Sequence, residues 1–236
     1  MRIETREKEV KNRLENVKNR IRKAAIDCQR DSQSIRLVAV SKTMSAKKVK
    51  EAIDAGVEIL GENYIQEARK KIENLSSYPV SWHFIGHLQS NKAKYAVRLF
   101  DLIHSVDNLR LAMELNKQAK KIDKVQDILI QVNVGQEVSK SGSSPEEAFD
   151  LVKNISRLEN LRLTGLMTMP PFFNAPQKVR PYFSSLCDLR DRIKAVIPAN
   201  VPMNELSMGM TNDFEVAITE GATLLRIGTA IFGERN

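Results

Sequence analysis

A lysine that follows a short apolar segment has the clearest chemical potential in this sequence. The segment covers residues 35–41, reading I-R-L-V-A-V-S, and Lys42 comes directly after it. A β-branched run of this length, bounded by polar residues, indicates a buried strand of a parallel sheet. Functional side chains in α/β proteins lie at the carboxyl ends of such strands, where an amine can attack a carbonyl. Taken alone, however, a lysine here is more often the first solvated residue of a loop.

Two segments near the carboxyl terminus have the composition of a phosphate cradle. Residues 207–211 read S-M-G-M-T, and residues 226–233 read R-I-G-T-A-I-F-G. Glycine permits close backbone approach and Thr229 can begin a short helix, so the amides there and the hydroxyls of Ser207 and Thr229 could bind phosphate oxygens. An ordinary loop explains either segment alone. Their occurrence together, after the last two predicted strands, favours a phosphate site.

A phosphate cradle facing a strand-end lysine predicts a phosphorylated aldehyde bound as a Schiff base, which describes pyridoxal 5′-phosphate (PLP). Arg226 lies two residues before Gly228, so we expect its guanidinium to reach the pyridine nitrogen. An arginine stays protonated and would leave that nitrogen unprotonated. The cofactor would then be a poorer electron sink than one whose ring nitrogen is partnered by an aspartate.

The elements that must position these residues alternate between strand and helix along the whole chain. Apolar runs predict eight strands, at residues 35–41, 57–61, 82–86, 102–105, 128–134, 161–167, 205–207 and 223–227. Helices are predicted between them, with N-terminal caps at Ser45, Asn63, Asp107 and Ser144. Eight such units and no glycine-rich turn after the first strand favour a single (β/α)8 TIM-type barrel over an open sheet.

The amino-terminal segment is distinct from this barrel. Residues 1–30 contain ten Lys or Arg and five Asp or Glu, so they hold most of the net charge of +8. Apolar residues recur there at helical spacing, at Ile3, Val10, Leu14, Val17, Ile21 and Ala24. We interpret the segment as a long helix packed on the barrel with a solvated basic face. A nucleic-acid or partner surface is the alternative, which the lack of interleaved aromatics disfavours.

Composition also restricts the compartment. No stretch approaches the roughly 20 apolar residues needed to cross a bilayer, and the charged amino terminus lacks the apolar core of a signal peptide. Cys28 and Cys187 lie far apart at apolar helical positions, so we expect reduced, buried thiols. These features predict a cytosolic protein of one domain, residues 1–236, with no disulfide framework.

Other candidate sites are weaker. His83 and His87 are spaced as a metal pair, but they straddle a predicted strand end and no third ligand is evident, so His83 is better explained as packing near the cofactor ring. Four methionines, at 167, 169, 208 and 210, could ligate a soft metal, yet apolar filling around a flat ring is the commoner role. Racemisation needs a second base, and of the four tyrosines only Tyr64 begins a helix near the predicted site.

Long motifs in this sequence resemble one known family. They are V-A-V-S-K at 38–42, G-E-N-Y-I-Q-E at 61–67, W-H-F-I-G-H-L-Q-S-N-K at 82–92, G-L-M-T-M at 165–169, S-M-G-M-T-N-D at 207–213 and R-I-G-T-A-I-F-G at 226–233. Together they resemble the pyridoxal phosphate homeostasis protein family, which is itself similar to the barrel half of bacterial alanine racemase without its second domain. The resemblance spans nearly the whole chain.

The resemblance implies both residue roles and a function. It implies that Lys42 is the Schiff-base lysine, that Arg226 partners the ring nitrogen, that Asn63 lies beside the cofactor, and that the phosphate contacts are Ser207, Gly228 and Thr229. The implied function is a carrier and buffer of PLP with little or no turnover, with PLP-dependent apoenzymes as possible recipients. The alternative is an amino-acid racemase or lyase on the same cofactor. We take a monomer as the default state.

Overall fold

Eight parallel strands form a closed barrel in the computed structural model, which describes residues 2–137 and 141–234. The strands follow chain order around the barrel, and the first pairs in parallel with both the second and the eighth. Their bounds are β1 Arg36–Val40, β2 Ile59–Glu62, β3 Ser81–Phe84, β4 Leu102–Val106, β5 Gln126–Gln131, β6 Leu161–Met167, β7 Glu205–Ser207 and β8 Leu224–Ile227. The predicted barrel is therefore confirmed.

Helices surround the barrel, and those between the first and the last connect successive strands. Their bounds are α1 Arg2–Asp27, α2 Ala46–Asp54, α3 Ile65–Asn74, α4 Ala93–Leu99, α5 Leu109–Lys120, α6 Pro145–Ile155, α7 Arg180–Lys194, α8 Phe214–Thr219 and α9 Thr229–Phe232. Two predicted caps are present: the Ser45 hydroxyl accepts from Lys48 N–H, and Ser144 forms a capping box with Glu147. In the part of the chain that the structure describes, no helix is long and apolar enough to span a membrane.

Two of the predicted caps were wrong by one residue. Helix α3 begins after Tyr64, which makes no side-chain capping bond, so Asn63 does not cap it. Helix α5 is capped by Asn108, whose side chain accepts from Leu111 N–H, rather than by the adjacent Asp107. Removing Asn63 from a capping role leaves its side chain available to the site described below.

Strand alternation sorts the side chains into two layers. Most apolar side chains pack between the strands and the helices, whereas a small cluster fills the barrel interior, made of Val38, Leu102, Leu129, Met167 and Leu224. Side chains two residues apart on a strand share a face. His104 follows Leu102 by two positions and Arg226 follows Leu224 by two, so both point into the barrel above this apolar floor. The interior is therefore apolar at its base and polar toward its carboxyl end.

Helix α1 docks against the barrel through the predicted stripe. Val10, Leu14, Val17 and Ile21 are buried, and the helix contacts α2, α8 and α9. At its carboxyl end Ala25 is fully buried, and the predicted Ala24 is half-buried and packs against the same core. Ile3 lies outside the described side chains. The two cysteines are free thiols, but both are half-buried rather than fully buried as expected.

Candidate cofactor-binding site

A cavity of ≈ 220 Å³ opens at the carboxyl ends of the strands. It gathers Lys42, Asn63, Arg226, Gly228 and Thr229, five of the six predicted site residues, from loops after β1 and β2 and from β8 and its end. The rest of its wall consists of Val40, Ile85, Met169, Phe172, Met210, Thr211, Asn212 and Asp213. The cavity thus combines an amine, a guanidinium and exposed backbone with apolar surface broad enough for a flat ring.

Lys42 lies in a turn that follows β1, whose last residue is Val40, and its side chain is half-buried. The turn is unusual because Thr43 adopts φ 66°, a left-handed conformation that β-branched residues rarely occupy. Such a conformation persists where the surrounding contacts hold it in place. The backbone that carries Lys42 is therefore a constrained segment of the site wall.

Arg226 reaches the cavity from β8 and is only 4% exposed. Its Nη1 donates to Ser207 Oγ at 2.6 Å, and its Nη2 donates to the carbonyl oxygen of Thr168 at 2.8 Å. Burial lowers the pKa of Arg226 to about 10, while the nearby Asp213 carboxylate opposes the shift. The guanidinium therefore remains protonated at neutral pH and places a fixed positive charge at the cavity.

A chain of hydrogen bonds connects Arg226 to two histidines inside the barrel. Ser207 Oγ lies 2.8 Å from His104 Nδ1, and His104 Nε2 lies 3.0 Å from His83 Nδ1. Arginine can only donate, so Ser207 accepts from Arg226 and its own hydroxyl proton can point to His104 Nδ1. His104 then carries its proton on Nε2 and donates it to His83. We call these four residues the interior relay.

Burial keeps both histidines of the interior relay neutral. It lowers the pKa of His83 to about 3, and it lowers the pKa of His104 well below its ordinary value of 6.5. The neighbouring His83 and the positive charge of Arg226 depress the pKa of His104 further. The relay thus contains one permanent charge, on Arg226, and two imidazoles that act as neutral hydrogen-bonding groups at physiological pH.

The predicted phosphate cradle consists of the start of α9 and the loop after β7. The intrahelical bonds of α9 begin with Ile231 N–H donating to the Gly228 carbonyl, so the amides before Ile231 lie outside that ladder. Thr229 Oγ1 donates to Thr211 Oγ1 at 3.1 Å, which joins the two loops. Gly209 has φ 90°, and a Cβ there would lie 2.5 Å from Ala217 Cβ, so this tight loop requires glycine.

Ser207 differs from the other predicted phosphate contacts in its position. It is fully buried at the end of β7, and its hydroxyl bonds to Arg226 and His104, whereas the cavity wall begins at Met210. The side chain of Ser207 therefore contacts the guanidinium from below. Its role as a phosphate contact stays a prediction.

Asn63 provides an independent indication of a ligand-binding site. Its Oδ1 is buried and accepts no hydrogen bond within the described part of the chain. A buried acceptor without a partner is costly, so a ligand donor is expected there. The backbone of Asn63 also passes so close to Gly86 that a Cβ on Gly86 would lie 2.3 Å from the Asn63 carbonyl oxygen. An amine, an unpaired acceptor, a fixed cation and an amide cradle together fit a phosphorylated aldehyde with a ring nitrogen.

The sequence did not lead us to predict every residue that shapes the site. His104 lies in the predicted fourth strand, two positions after Leu102, which faces the barrel interior. That spacing could have indicated that the His104 side chain also points inward. Asp213 accepts from Met210 N–H at 2.6 Å and shapes the loop after β7, and burial raises its pKa. His87 is exposed and does not pair with His83, which reaches Arg226 through His104 and Ser207. No group of three possible metal ligands occurs among the described residues.

Comparison with known proteins identifies the family to which this barrel belongs. The family model of the alanine racemase N-terminal domain matches residues 13–236. A pyridoxal phosphate homeostasis protein from Aquifex aeolicus is 46% identical over 94% of this chain and 97% of its own length. The homologue of the same name from Pseudomonas aeruginosa is 43% identical over 92% of both chains. This chain therefore belongs to the pyridoxal phosphate homeostasis protein family, which confirms the resemblance seen in its motifs.

Solved structures agree with this assignment. PipY of Synechococcus elongatus, in a solved structure with PLP bound, superposes with a TM-score of 0.82 at 32% identity, covering 95% of this chain and 100% of PipY. An alanine racemase from Clostridium difficile shares the fold, with a TM-score of 0.73 at 16% identity. The match covers 97% of this chain but 57% of the racemase, so the racemase has a further region that the matched barrel does not include.

Proposed function

We propose that this protein binds PLP through Lys42 and serves as a carrier and buffer of the cofactor in the cytosol. The observation that carries the proposal is the placement of Lys42, Arg226 and the Gly228–Thr229 amides around one cavity. When bound, PLP supplies an aldehyde that condenses reversibly with an amine. The PLP-bound structure of PipY, a relative of nearly identical length, supports the same choice of ligand.

Each wall of the cavity has a distinct part in this proposal. Lys42 attaches the aldehyde, and Arg226 donates to the ring nitrogen while remaining charged. The amides at the start of α9, with the Thr229 hydroxyl, bind phosphate oxygens. Asn63 accepts a hydrogen bond from the ligand through its buried oxygen. Met169 and Met210 provide polarizable apolar surface against the ring.

We favour a carrier over a racemase or lyase because of where the tyrosines lie. Tyr64 is 60% exposed, Tyr182 packs on Phe173, and the rings of Tyr78 and Tyr95 contact lysines at the surface. Racemisation requires a second base on the opposite face of the substrate carbon. None of the four tyrosines is among the residues that line the cavity. PLP-dependent apoenzymes would be the recipients of the cofactor, and a monomer suffices for this role.

The attachment site can be tested directly. The purified protein incubated with PLP should show a visible absorbance band, and borohydride reduction followed by peptide mapping should place the pyridoxyl group on Lys42. Lys42→Ala should lose the band, whereas Lys47→Ala, at an exposed lysine of α2, should keep it. A reduced adduct on another lysine, or an undiminished band in Lys42→Ala, would refute the assignment.

The choice between carrier and enzyme needs a separate experiment. Incubation of the PLP-loaded protein with single enantiomers of alanine and serine should leave their stereochemistry unchanged, as followed by chiral chromatography. The PLP-loaded protein should also transfer PLP to an added apoenzyme, as measured by the recovery of that enzyme's activity. Stereochemical exchange at an enzymatic rate would overturn the carrier proposal in favour of the racemase.

A further inference from the structure

A buried cluster of charged side chains lies behind the Lys42 turn, between β2 and α3. It consists of Glu62, Glu67 and Lys71, whose side chains are 0%, 28% and 5% exposed. Lys71 Nζ donates to Glu62 Oε1 at 2.7 Å, to Glu67 Oε1 at 2.6 Å and to the Ser41 carbonyl oxygen at 2.6 Å. An ammonium group has three protons, so these three bonds saturate it. We call this group the charged cluster.

The charged cluster binds the residues on both sides of Lys42. On one side, Ser41 is held twice, because its carbonyl accepts from Lys71 and its hydroxyl donates to Glu62 Oε1 at 2.5 Å. On the other side, Thr43 N–H donates to Glu67 Oε1 at 2.5 Å. These bonds fix the backbone immediately before and after the attachment lysine. They also account for the left-handed φ of 66° at Thr43, which needs external contacts to persist.

Stability alone does not explain why this location carries charges. Apolar residues of similar volume often replace a buried ion pair without loss of stability, because desolvation offsets most of the attraction. The cluster also leaves Glu62 Oε2 buried and without a hydrogen-bond partner among the described residues. Burial raises the pKa of Glu62, with Lys71 and Ser41 opposing the shift. What the charges provide, and apolar residues would not, is directional bonds to the backbone of the Lys42 turn.

We propose that Lys71, assisted by Glu62 and Glu67, is a positioning residue that holds the Lys42 turn in the conformation needed to attach PLP. The inference rests on the proposed function. In the attachment step, the neutral Lys42 amine would form a double bond from Nζ to the aldehyde carbon, and the aldehyde oxygen would leave as water with the two protons that Nζ loses, without any oxidation or reduction. Lys71 does not touch the cofactor in this scheme. It acts through Ser41 and through Glu67, which binds Thr43.

The test separates attachment from binding by using two ligands. PLP can attach to Lys42, whereas pyridoxamine 5′-phosphate has the same ring and phosphate but no aldehyde. In Lys71→Met, the dissociation constant for PLP should rise about tenfold and the condensation rate should fall similarly, since misplacing a reacting group costs at least this much. The dissociation constant for pyridoxamine 5′-phosphate should stay within about twofold of the wild-type value. Lys70→Met, at an exposed neighbour on α3, should change neither.

A second variant covers the case in which Lys71→Met folds poorly. Glu67→Ala removes the acceptor of Thr43 N–H at a partly exposed position. It should lower the affinity for PLP, but not that for pyridoxamine 5′-phosphate, by a smaller factor than Lys71→Met does. Equal weakening of both ligands in these variants, or no change in either, would overturn the positioning role. If the wild-type protein fails to bind PLP more tightly than pyridoxamine 5′-phosphate, or forms no reducible adduct, the proposed function fails instead.

Discussion

Two buried polar networks flank the cavity, and they are built on opposite principles. The interior relay lies inside the barrel and joins Arg226 to His83 through Ser207 and His104. It holds one charge and otherwise neutral groups. The charged cluster lies outside the barrel, where Lys71 joins two carboxylates to the backbone before and after Lys42. One network supports a cation at the cavity wall, and the other supports a stretch of backbone.

The two networks differ in how they offset the free-energy cost of burying polar and charged side chains. The interior relay limits buried charge to Arg226 and keeps both imidazoles neutral, with their pKa values lowered by desolvation. The charged cluster instead pairs opposite charges and adds hydrogen bonds to peptide groups. A neutral relay loses a hydrogen bond when one member is removed, whereas a charged cluster is left with an unpaired charge. The two networks should therefore respond differently to substitution, to pH and to compensation by a second change.

The largest effect is expected from breaking the charged cluster. Lys71→Met leaves Glu62 buried without its cation, which typically costs about 3–5 kcal/mol. Chemical denaturation of the protein without ligand would measure the loss, with Lys70→Met as the control at an exposed position. Adding Glu62→Leu to Lys71→Met should restore most of the stability, because the unpaired charge is removed with its partner.

The double variant also separates folding from positioning. The stability of the double variant should recover. Its affinity for PLP should still be lowered more than its affinity for pyridoxamine 5′-phosphate, because the bonds to Ser41 are still absent. Recovery of both properties together would show that the cluster serves stability alone. Failure of the stability to recover would show that the contacts to Ser41, rather than the unpaired Glu62, dominate the loss.

A smaller effect is expected from breaking the interior relay. His104→Leu leaves the Ser207 hydroxyl proton without an acceptor and His83 Nδ1 without a donor, although Arg226 still donates to Ser207 Oγ. Each buried unsatisfied group costs about 1–3 kcal/mol, so a loss of roughly 2–6 kcal/mol is predicted. His87→Leu, at an exposed histidine, should lie within about 0.5 kcal/mol of the wild type. A loss for His104→Leu no larger than that of the control would mean that the relay is not a cooperative unit.

The contrast between the two networks also marks what the sequence could predict. The eight strands, their order and the barrel followed from local apolar patterns, and strand β6 was predicted to the residue. Glu67 and Lys71 look in sequence like an exposed ion pair four residues apart on a helix, yet Lys71 is buried and donates to the Ser41 carbonyl, 30 positions away in the chain. Likewise, His104 meets Ser207 across 103 positions of the chain, through closure of the barrel. Local patterns carry no information about such contacts.

The two wrong cap predictions, at Asn63 and Asp107, have a more local cause than the long-range contacts. Asp107 and Asn108 are adjacent residues that both cap helices well, and the turn geometry, not residue preference, selects Asn108. Asn63 was assigned to a cap by its spacing from Gln66, yet its side chain lies on the cavity wall. In the second case a local rule failed at a residue of the candidate site, where sequences commonly depart from local preference.

The pH dependence of stability should distinguish the networks next. The unfolded histidines titrate near 6.5, whereas His83 in the folded protein has a pKa of about 3 and that of His104 is also lowered. The unfolded state therefore binds more protons in this range, and stability should fall as the pH drops from about 6.5 toward 3. Glu62 acts in the opposite direction: its raised pKa removes stability as the pH rises above its ordinary value of 4.5.

Denaturant midpoints measured between pH 4.5 and 8 would show this slope. In His104→Leu the decline below pH 6.5 should be shallower than in the wild type, because one lowered imidazole pKa is gone, whereas in His87→Leu it should be retained. An equally steep decline in His104→Leu and the wild type would mean that the buried relay does not exclude protons as described.

The smallest loss of stability is expected from breaking an ion pair that lies at the protein surface. Arg20 on α1 donates to Glu215 on α8 at 2.6 Å, but the two side chains are 48% and 38% exposed. Water solvates both charges, so Glu215→Gln should cost only about 0–1 kcal/mol, and salt should reduce that cost further. Thermal unfolding at low and high ionic strength would measure it. The pair resembles Lys71–Glu62 in charge and in length, so a loss as large as that of Lys71→Met would show that pairing itself, and not burial, determines the strength of the charged cluster.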